Sequence, residues 1–265
     1  RFLRKYKPWG VILFSRNIKS IEQTRKLTDD IKKIFNDKKY PILIDQEGGR
    51  INRLSKFINT SKLTGEFFGN LYKNNFKKFV IYYNIYIDQT CYLMHLLGMN
   101  INTVPVLDVR HKKSHNVIGD RAFSSNPKIV SKIGDFCIKK FHKNNIGSVV
   151  KHIPGHGLAK VDSHKSTPLV KEKLSKLSEI DFFSFKNKKS LFAMTAHIIY
   201  KDIDRIYTAT HSKKIISLIR NKIKFKNLII SDDISMKSLK FPIKANVNKA
   251  FNAGCNLVLH CNGKY

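Results

Sequence analysis

Gly147-Ser-Val-Val-Lys-His-Ile-Pro-Gly-His-Gly157, followed by Asp162-Ser-His164, is the stretch that decides the fold. An uninterrupted apolar run passes directly into a turn built from Pro154, Gly155 and Gly157. Residues 151–164 hold three histidines, two lysines and an aspartate. A short apolar run that stops at a burst of proton-carrying side chains reads as a buried β-strand whose C-terminal end opens onto a functional loop.

The same pattern recurs outward in both directions. Val11–Phe14, Ile42–Asp45, Ile101–Val106, Ser148–Lys151, Leu191–Ala196, Leu228–Ser231 and Leu257–His260 are short runs rich in Val, Ile or Leu. Most do not alternate with polar residues, as expected of parallel strands buried on both faces. Helical patterns lie between them. Ser20 with Gln23 resembles a capping box, and Leu27, Ile31, Ile34 and Phe35 then share a face. Asn126-Pro127 reads as an N-cap and first-turn pair, opening a helix through Ile129, Val130, Ile133 and Cys137. Residues 78–97 predict a long helix, with others near 171–187, 211–222 and 243–253, the last closing at Gly254. The chain shows no linker and no low-complexity block, so residues 1–265 read as one domain of repeated β/α units. A closed (β/α)8 barrel needs one strand more than the seven counted, and the absent initiator Met suggests a strand ahead of Arg1. An open doubly wound sheet is the alternative, but no Gly-rich dinucleotide fingerprint follows any strand.

Composition sets further bounds. An apolar fraction of 42% supports a real core. No window approaches the roughly 18 uninterrupted apolar residues of a membrane span. Arg1-Phe-Leu-Arg-Lys-Tyr-Lys7 lacks the apolar stretch of a signal peptide. Cys91, Cys137, Cys255 and Cys261 form no CxxC pair and read as reduced residues of a cytoplasmic protein. The formal charge of +31 first suggests nucleic acid. The lysines, however, are spread along the whole chain among Asn and Ile, as in the product of an AT-rich genome. A nucleic-acid surface would cluster its basic residues and interleave aromatics. No specific nucleic-acid partner is therefore expected.

The chemistry is read from position. Asp45, Asp108, Lys151 with His152, His197, and Asp232 each lie at or just past the end of a predicted strand. In a parallel barrel those ends converge on one face, which carries the active site. Asp232 and Asp233 are adjacent, so a strand would turn them to opposite faces. One is then the chemical carboxylate, and the other binds backbone or a neighbouring loop. Capping of the next helix is the plain alternative for both. Gly48-Gly49 permits a tight turn after Asp45; Asp45, Arg50 and Arg53 could grip hydroxyls or an acyl group, while Arg50 and Glu47 are read as members of a structural salt-bridge cluster. The histidines allow three uses. A zinc site lacks an HExxH or His-x-His pair. A packing role suits His156 between two glycines. General acid–base catalysis suits His164, whose proton affinity a carboxylate such as Asp162 would raise.

Taken in order, these motifs resemble those of family-3 glycoside hydrolases, and among them the bacterial β-N-acetylglucosaminidases. The likeness covers almost the whole chain: Ile12-Leu-Phe-Ser-Arg-Asn17, Asp45-Gln-Glu-Gly-Gly-Arg50, Pro105-Val-Leu-Asp-Val109, Gly119-Asp-Arg-Ala-Phe123, Lys151-His-Ile-Pro-Gly-His-Gly157, Asp162-Ser-His164, Thr195-Ala-His197 and Ser231-Asp-Asp-Ile-Ser-Met236. The resemblance implies a TIM-type (β/α)8 barrel and an exo-acting, retaining hydrolase. It implies release of terminal N-acetylglucosamine from peptidoglycan fragments carrying anhydro-muramic acid, in the cytoplasm, by a monomer without metal or organic cofactor. It assigns Asp232 as nucleophile, His164 as acid/base and Asp162 as its dyad partner. Asp45, Arg53, Arg121, Lys151 and His152 become the sugar-binding set. A His–Asp pair in place of a second carboxylate departs from the common glycosidase pattern.

Three departures stand beside the resemblance. The chain begins too late for the first strand of the family and ends before its C-terminal helix region. Ile153 stands where an aromatic is frequent. A related glycosidase of other sugar preference is one alternative, although such relatives generally place the acid/base in another domain. A basic nucleic-acid-binding protein that has lost catalysis is another, and it leaves the Asp162, His164 and Asp232 constellation without a purpose.

Overall fold

The computed structural model describes residues 1–111, 116–159, 161–163 and 166–263. Its elements in chain order are α1 (Phe2–Tyr6), β1 (Val11–Leu13), α2 (Ile21–Phe35), β2 (Ile42–Ile44), α3 (Gly65–Asn74), α4 (Phe76–Leu96), β3 (Ile101–Asn102), α5 (Pro127–Lys143), β4 (Gly147–Ile153), β5 (Leu169–Val170), α6 (Leu174–Glu179), β6 (Phe192–Thr195), β7 (Ile199–Tyr200), α7 (Lys213–Asn221), β8 (Leu228–Asp233), α8 (Ile243–Ala253) and β9 (Leu257–Leu259).

All seven predicted apolar runs become strands of one sheet, ordered β1-β2-β3-β4-β6-β8-β9 among the described residues. Every pairing in it is parallel. Ile12, Leu43, Ile101, Val149, Phe192, Met194, Ile230, Leu257 and Leu259 meet in one interior cluster to which every strand contributes. A sheet whose first and last strands share one interior is curled. The fold is therefore a curled, seven-stranded parallel half-barrel among the described residues, consistent with the TIM-like (β/α)8 class, its interior filled by branched side chains. At the edges, Arg16 Nη2 just after β1 donates to the Cys261 carbonyl just after β9 at 2.7 Å. The outer face of the sheet packs on the helices through a second, larger core that includes Ile42, Ile44, Val150 and Ile229. Each such fully buried side chain contributes about 1.5–3 kcal/mol relative to exposure.

Local sequence explains the helix ends. Ser20 Oγ accepts from Gln23 N at 3.1 Å, while the Gln23 side chain reaches back to Lys19 N rather than to Ser20. Asn126 Oδ1 accepts from Lys128 N, with Pro127 in the first turn of α5. Gly254 closes α8 with φ 112°.

Three expectations change. The strand predicted over Ile101–Val106 is regular only over Ile101–Asn102; beyond it Val104, Pro105 and Leu107 keep backbone bonds to β4, and Val106 forms an isolated bridge to Lys151. The helix predicted near 171–187 is reduced to α6 and a 3-10 turn at Phe183–Phe185, since Ile180 leaves the helical region at φ −112°, ψ −81°. A two-stranded parallel sheet, β5 with β7, was not foreseen. Among the described residues, no helix is long and apolar enough to cross a membrane.

Candidate active site

The strand ends converge as the barrel requires. A pocket opens above the interior cluster, and Ile12, Met194 and Leu259 belong to both, so the top layer of the barrel core is the pocket floor. Asp45, Arg53, Arg121, Lys151, His152 and Asp232 line its polar side. Met236, Cys261 and Phe14 complete the wall.

The polar side is a network of fixed charges. Asp45, just past β2, accepts from Thr103 Oγ1 at 2.8 Å and Lys151 Nζ at 2.5 Å on one oxygen, and from Arg53 Nη2 at 3.2 Å on the other. Lys151 Nζ also lies 2.5 Å from Glu47 Oε1. Glu47 in turn receives both arms of the Arg121 guanidinium at 2.7 Å. Burial alone would raise the Glu47 pKa, but Arg121 and Lys151 outweigh it and hold the carboxyl well below its usual range. Glu47 belongs to a salt-bridge cluster as expected, yet its partners are Arg121 and Lys151. Arg50 instead pairs with Asp120 and caps the carbonyls of residues 116–118.

Lys151 and His152 sit inside β4, next to each other across a cis peptide bond. His152 Nδ1 donates to Asp108 Oδ2 at 2.7 Å, which leaves Nε2 as the pocket-facing nitrogen. Burial pushes the Asp108 pKa up, but His152, its hydrogen bond and His156 outweigh this and leave it lowered.

Asp232 and Asp233 both border the pocket, but their carboxylates have different partners. Asp233 turns to its surroundings: its carboxylate accepts from Ser235 N, Ser235 Oγ and Cys261 N, and its carbonyl accepts from His197 Nε2. Asp232 lines the pocket and is only partly buried. One of its oxygens takes the Asp233 N–H at 2.7 Å. Burial would raise its pKa, but His152, His197, that N–H and Lys151 together lower it. It is a carboxylate near neutral pH with a free edge toward the pocket. His197 is a buried prop: Nε2 holds the Asp233 carbonyl and Nδ1 accepts from Thr210 Oγ1 at 2.7 Å.

The turn after β4 is tightly held. Gly155 has φ 144°, and a Cβ on Gly157 would lie 2.0 Å from the Val109 carbonyl, so neither position suits a side chain. The Tyr200 hydroxyl bonds the Gly155 carbonyl from below. Beyond it, Asp162 is half-buried and its carbonyl accepts from Ser166 N. His164 lies outside the described residues. Sequence reasoning missed the partners of Glu47 and the role of Thr103, because those contacts join residues far apart in the chain. Among the described residues, no group of three His, Cys, Asp or Glu side chains gathers as a metal site.

Comparison with known proteins agrees with this geometry. The chain is 33% identical over 262 residues to a β-hexosaminidase of Hydrogenovibrio crunogenus, covering 96% of this chain and 71% of that protein. It is 30% identical over 280 residues to β-hexosaminidase A of Pseudoalteromonas piscicida, of which it spans only 46%. The crystal structure of NagZ from Neisseria gonorrhoeae in complex with N-trifluoroacetyl-D-glucosamine superposes with a TM-score of 0.83 at 30% identity, covering 96% of this chain and 74% of that one. The family model of the glycosyl hydrolase family 3 N-terminal domain matches residues 1–265, and the chain belongs to that family.

Proposed function

We propose that residues 1–265 form a single catalytic barrel domain of a retaining exo-β-N-acetylglucosaminidase. The observation that carries this is Asp232: an ionised, partly exposed carboxylate on a pocket floor, ringed by the hydrogen-bonding groups of Asp45, Arg53, Arg121, Lys151 and His152. The names of the two β-hexosaminidase relatives and the N-trifluoroacetyl-D-glucosamine bound to the gonococcal NagZ support the choice of N-acetylglucosamine.

In this reading Asp45 accepts hydrogen bonds from ring hydroxyls, and Lys151 and Arg53 donate to their oxygens. Glu47 and Thr103 keep those donors in place. His152, with its proton on Nδ1, offers a lone pair at Nε2 to a hydroxyl. Met194, Met236 and Leu259 give the apolar C–H face of a sugar a dry wall. Asp232 attacks the anomeric carbon as the bond to the leaving oxygen breaks, forming a glycosyl ester. His164, paired with Asp162, delivers the proton to that oxygen and then takes one from the water that opens the ester. The groups that lower the Asp232 pKa keep it ionised near neutral pH, as a nucleophile must be.

The substrates we propose are peptidoglycan fragments in which N-acetylglucosamine caps anhydro-muramic acid, processed during wall recycling in the cytoplasm by a monomer. Trapping with a fluorinated N-acetylglucosaminide and mass spectrometry tests the core of the reading. A covalent adduct on the peptide containing Asp232 is expected. An adduct elsewhere, or turnover without any adduct, overturns it.

A further inference from the structure

The site contains a second Asp–His arrangement, and it reaches the loop that carries Asp162. Asp108 is fully buried. It accepts His152 Nδ1 at 2.7 Å and His156 N at 2.6 Å, with His152 N at 3.2 Å. The ring of His156 then extends away from this base, and its Nε2 lies 3.2 Å from Ser163 Oγ. His156 and Ser163 are 4% exposed each, so water competes little for that bond. Ser163 stands between Asp162 and His164 in sequence. Past it, Thr167 Oγ1 donates to the Ser238 carbonyl at 2.7 Å, which ties the far end of the segment to the loop after β8.

The His156–Ser163 end of this connection is not used by the chemistry described above. The packing role first read for His156 accounts for a filled turn, but not for a polar ring atom directed at Ser163. A serine oxygen is one carbon from the backbone, so fixing it fixes the chain on either side. Burial holds the His156 pKa down, to about 4, so the ring stays neutral near neutral pH.

We propose that the His156–Ser163 hydrogen bond is the anchor that fixes the backbone at Ser163, which stands between Asp162 and His164 in sequence, with Asp108 as its fixed base. One buried carboxylate then indexes two functions: the sugar contact of His152 and the approach of the proton donor. His156, Ser163 and Asp108 are positioning residues in this scheme. The inference rests on the glycosidase reading, in which that segment protonates the leaving oxygen.

Leaving-group dependence tests it. Dinitrophenolate departs without a proton, whereas an alkoxide does not, so only the second reaction senses a misplaced acid. Ser163→Ala is expected to lower kcat/KM on methyl N-acetyl-β-glucosaminide by about 10–100-fold, the scale of an ångström-sized misplacement. On the 2,4-dinitrophenyl glycoside kcat/KM, which reports the glycosylation step, should stay within about two-fold. His156→Leu, similar in size but without hydrogen-bonding atoms, should repeat the selective loss. His156→Gln, whose amide can reach the same hydroxyl, should largely restore the methyl glycoside rate. Equal losses on both substrates in a folded Ser163→Ala, or no loss on either, overturn the anchor. If Ser163→Ala does not fold, the two His156 variants decide: identical behaviour of Leu and Gln overturns it. Failure of the unaltered chain to turn over even the dinitrophenyl glycoside would instead overturn the functional reading.

Discussion

Asp232 and Glu47 are both carboxylates in one site, yet their surroundings give them opposite tasks. Asp232 has one oxygen engaged by a backbone N–H and an edge open to the pocket. Glu47 has both oxygens taken by Arg121 and one shared with Lys151. Asp232→Ala should therefore cut kcat by at least ~10³-fold while leaving the fold intact, because it removes the covalent step without breaking a buried pair. Steady-state turnover of an aryl N-acetylglucosaminide checks this, and near-normal turnover would end the assignment. Glu47→Gln should act on stability as well. It strands the Arg121 guanidinium, whose side chain is 12% exposed, and should cost about 3–5 kcal/mol of stability. Urea unfolding measures that loss, and a change under about 1 kcal/mol would mean that Asp45 alone suffices to balance the cations. The sequence placed Asp232 at a strand end, and it lines the pocket there. It did not reveal the partners of Glu47, since Arg121 and Lys151 lie 74 and 104 residues further on and only the curl of the sheet brings them close.

At the scale of elements, what was legible followed from periodicity and what was not followed from docking. Uninterrupted apolar runs marked all seven sheet strands, because a strand buried on both faces has no polar side to disguise it. Helix α3 was not marked: its residues Gly65 and Gly69 weaken a helical reading by about 1 kcal/mol each. The structure supplies the reason for them. A Cβ on Gly69 would sit 1.6 Å from the Phe123 carbonyl, and one on Gly65 would sit 2.1 Å from the Arg121 carbonyl. The helix lies flat against the backbone of the segment that delivers Arg121. Gly69→Ala should accordingly destabilise the protein by about 1–3 kcal/mol, the overpacking penalty exceeding the propensity gain. Thermal unfolding distinguishes the two effects by sign, and a raised Tm would mean that α3 can move outward at no cost. Likewise β5 and β7 are two residues each, too short for any alternation to register, and their pairing depends on the loops after β4 and β6 meeting.

The whole molecule joins buried, neutral imidazoles to a large positive charge, and both make acid unfavourable. In the unfolded chain a histidine takes its proton near pH 6.5. In the folded chain burial lowers His156 and His211 to about 4, and lowers His197 as well. Between those values the unfolded state binds more protons, so stability rises with pH. The contribution is complete above about pH 6.5 and is lost as the pH falls toward 4; for His156 alone it is worth roughly 3 kcal/mol. Asp181, whose pKa burial raises, opposes this, while the lowered Asp108 and Asp232 extend the loss below the ordinary carboxylate range. The urea midpoint should therefore fall steadily from about pH 7 to about pH 4.5, and a flat profile would contradict the burial of these rings. Salt gives an independent check. With a formal charge of +31, folding brings many like charges within each other's range. Raising ionic strength from about 0.01 M to 0.15 M shortens the screening length from about 30 Å to 8 Å. Exposed pairs such as Arg25–Asp29 and Lys26–Asp30 lose something in that change, but such pairs are worth about 0–1 kcal/mol at most. Relief of repulsion should win, and Tm in sodium chloride at neutral pH should rise over this range. A fall in Tm would mean that local ion pairs, rather than the excess of cations, govern the electrostatics of the folded chain.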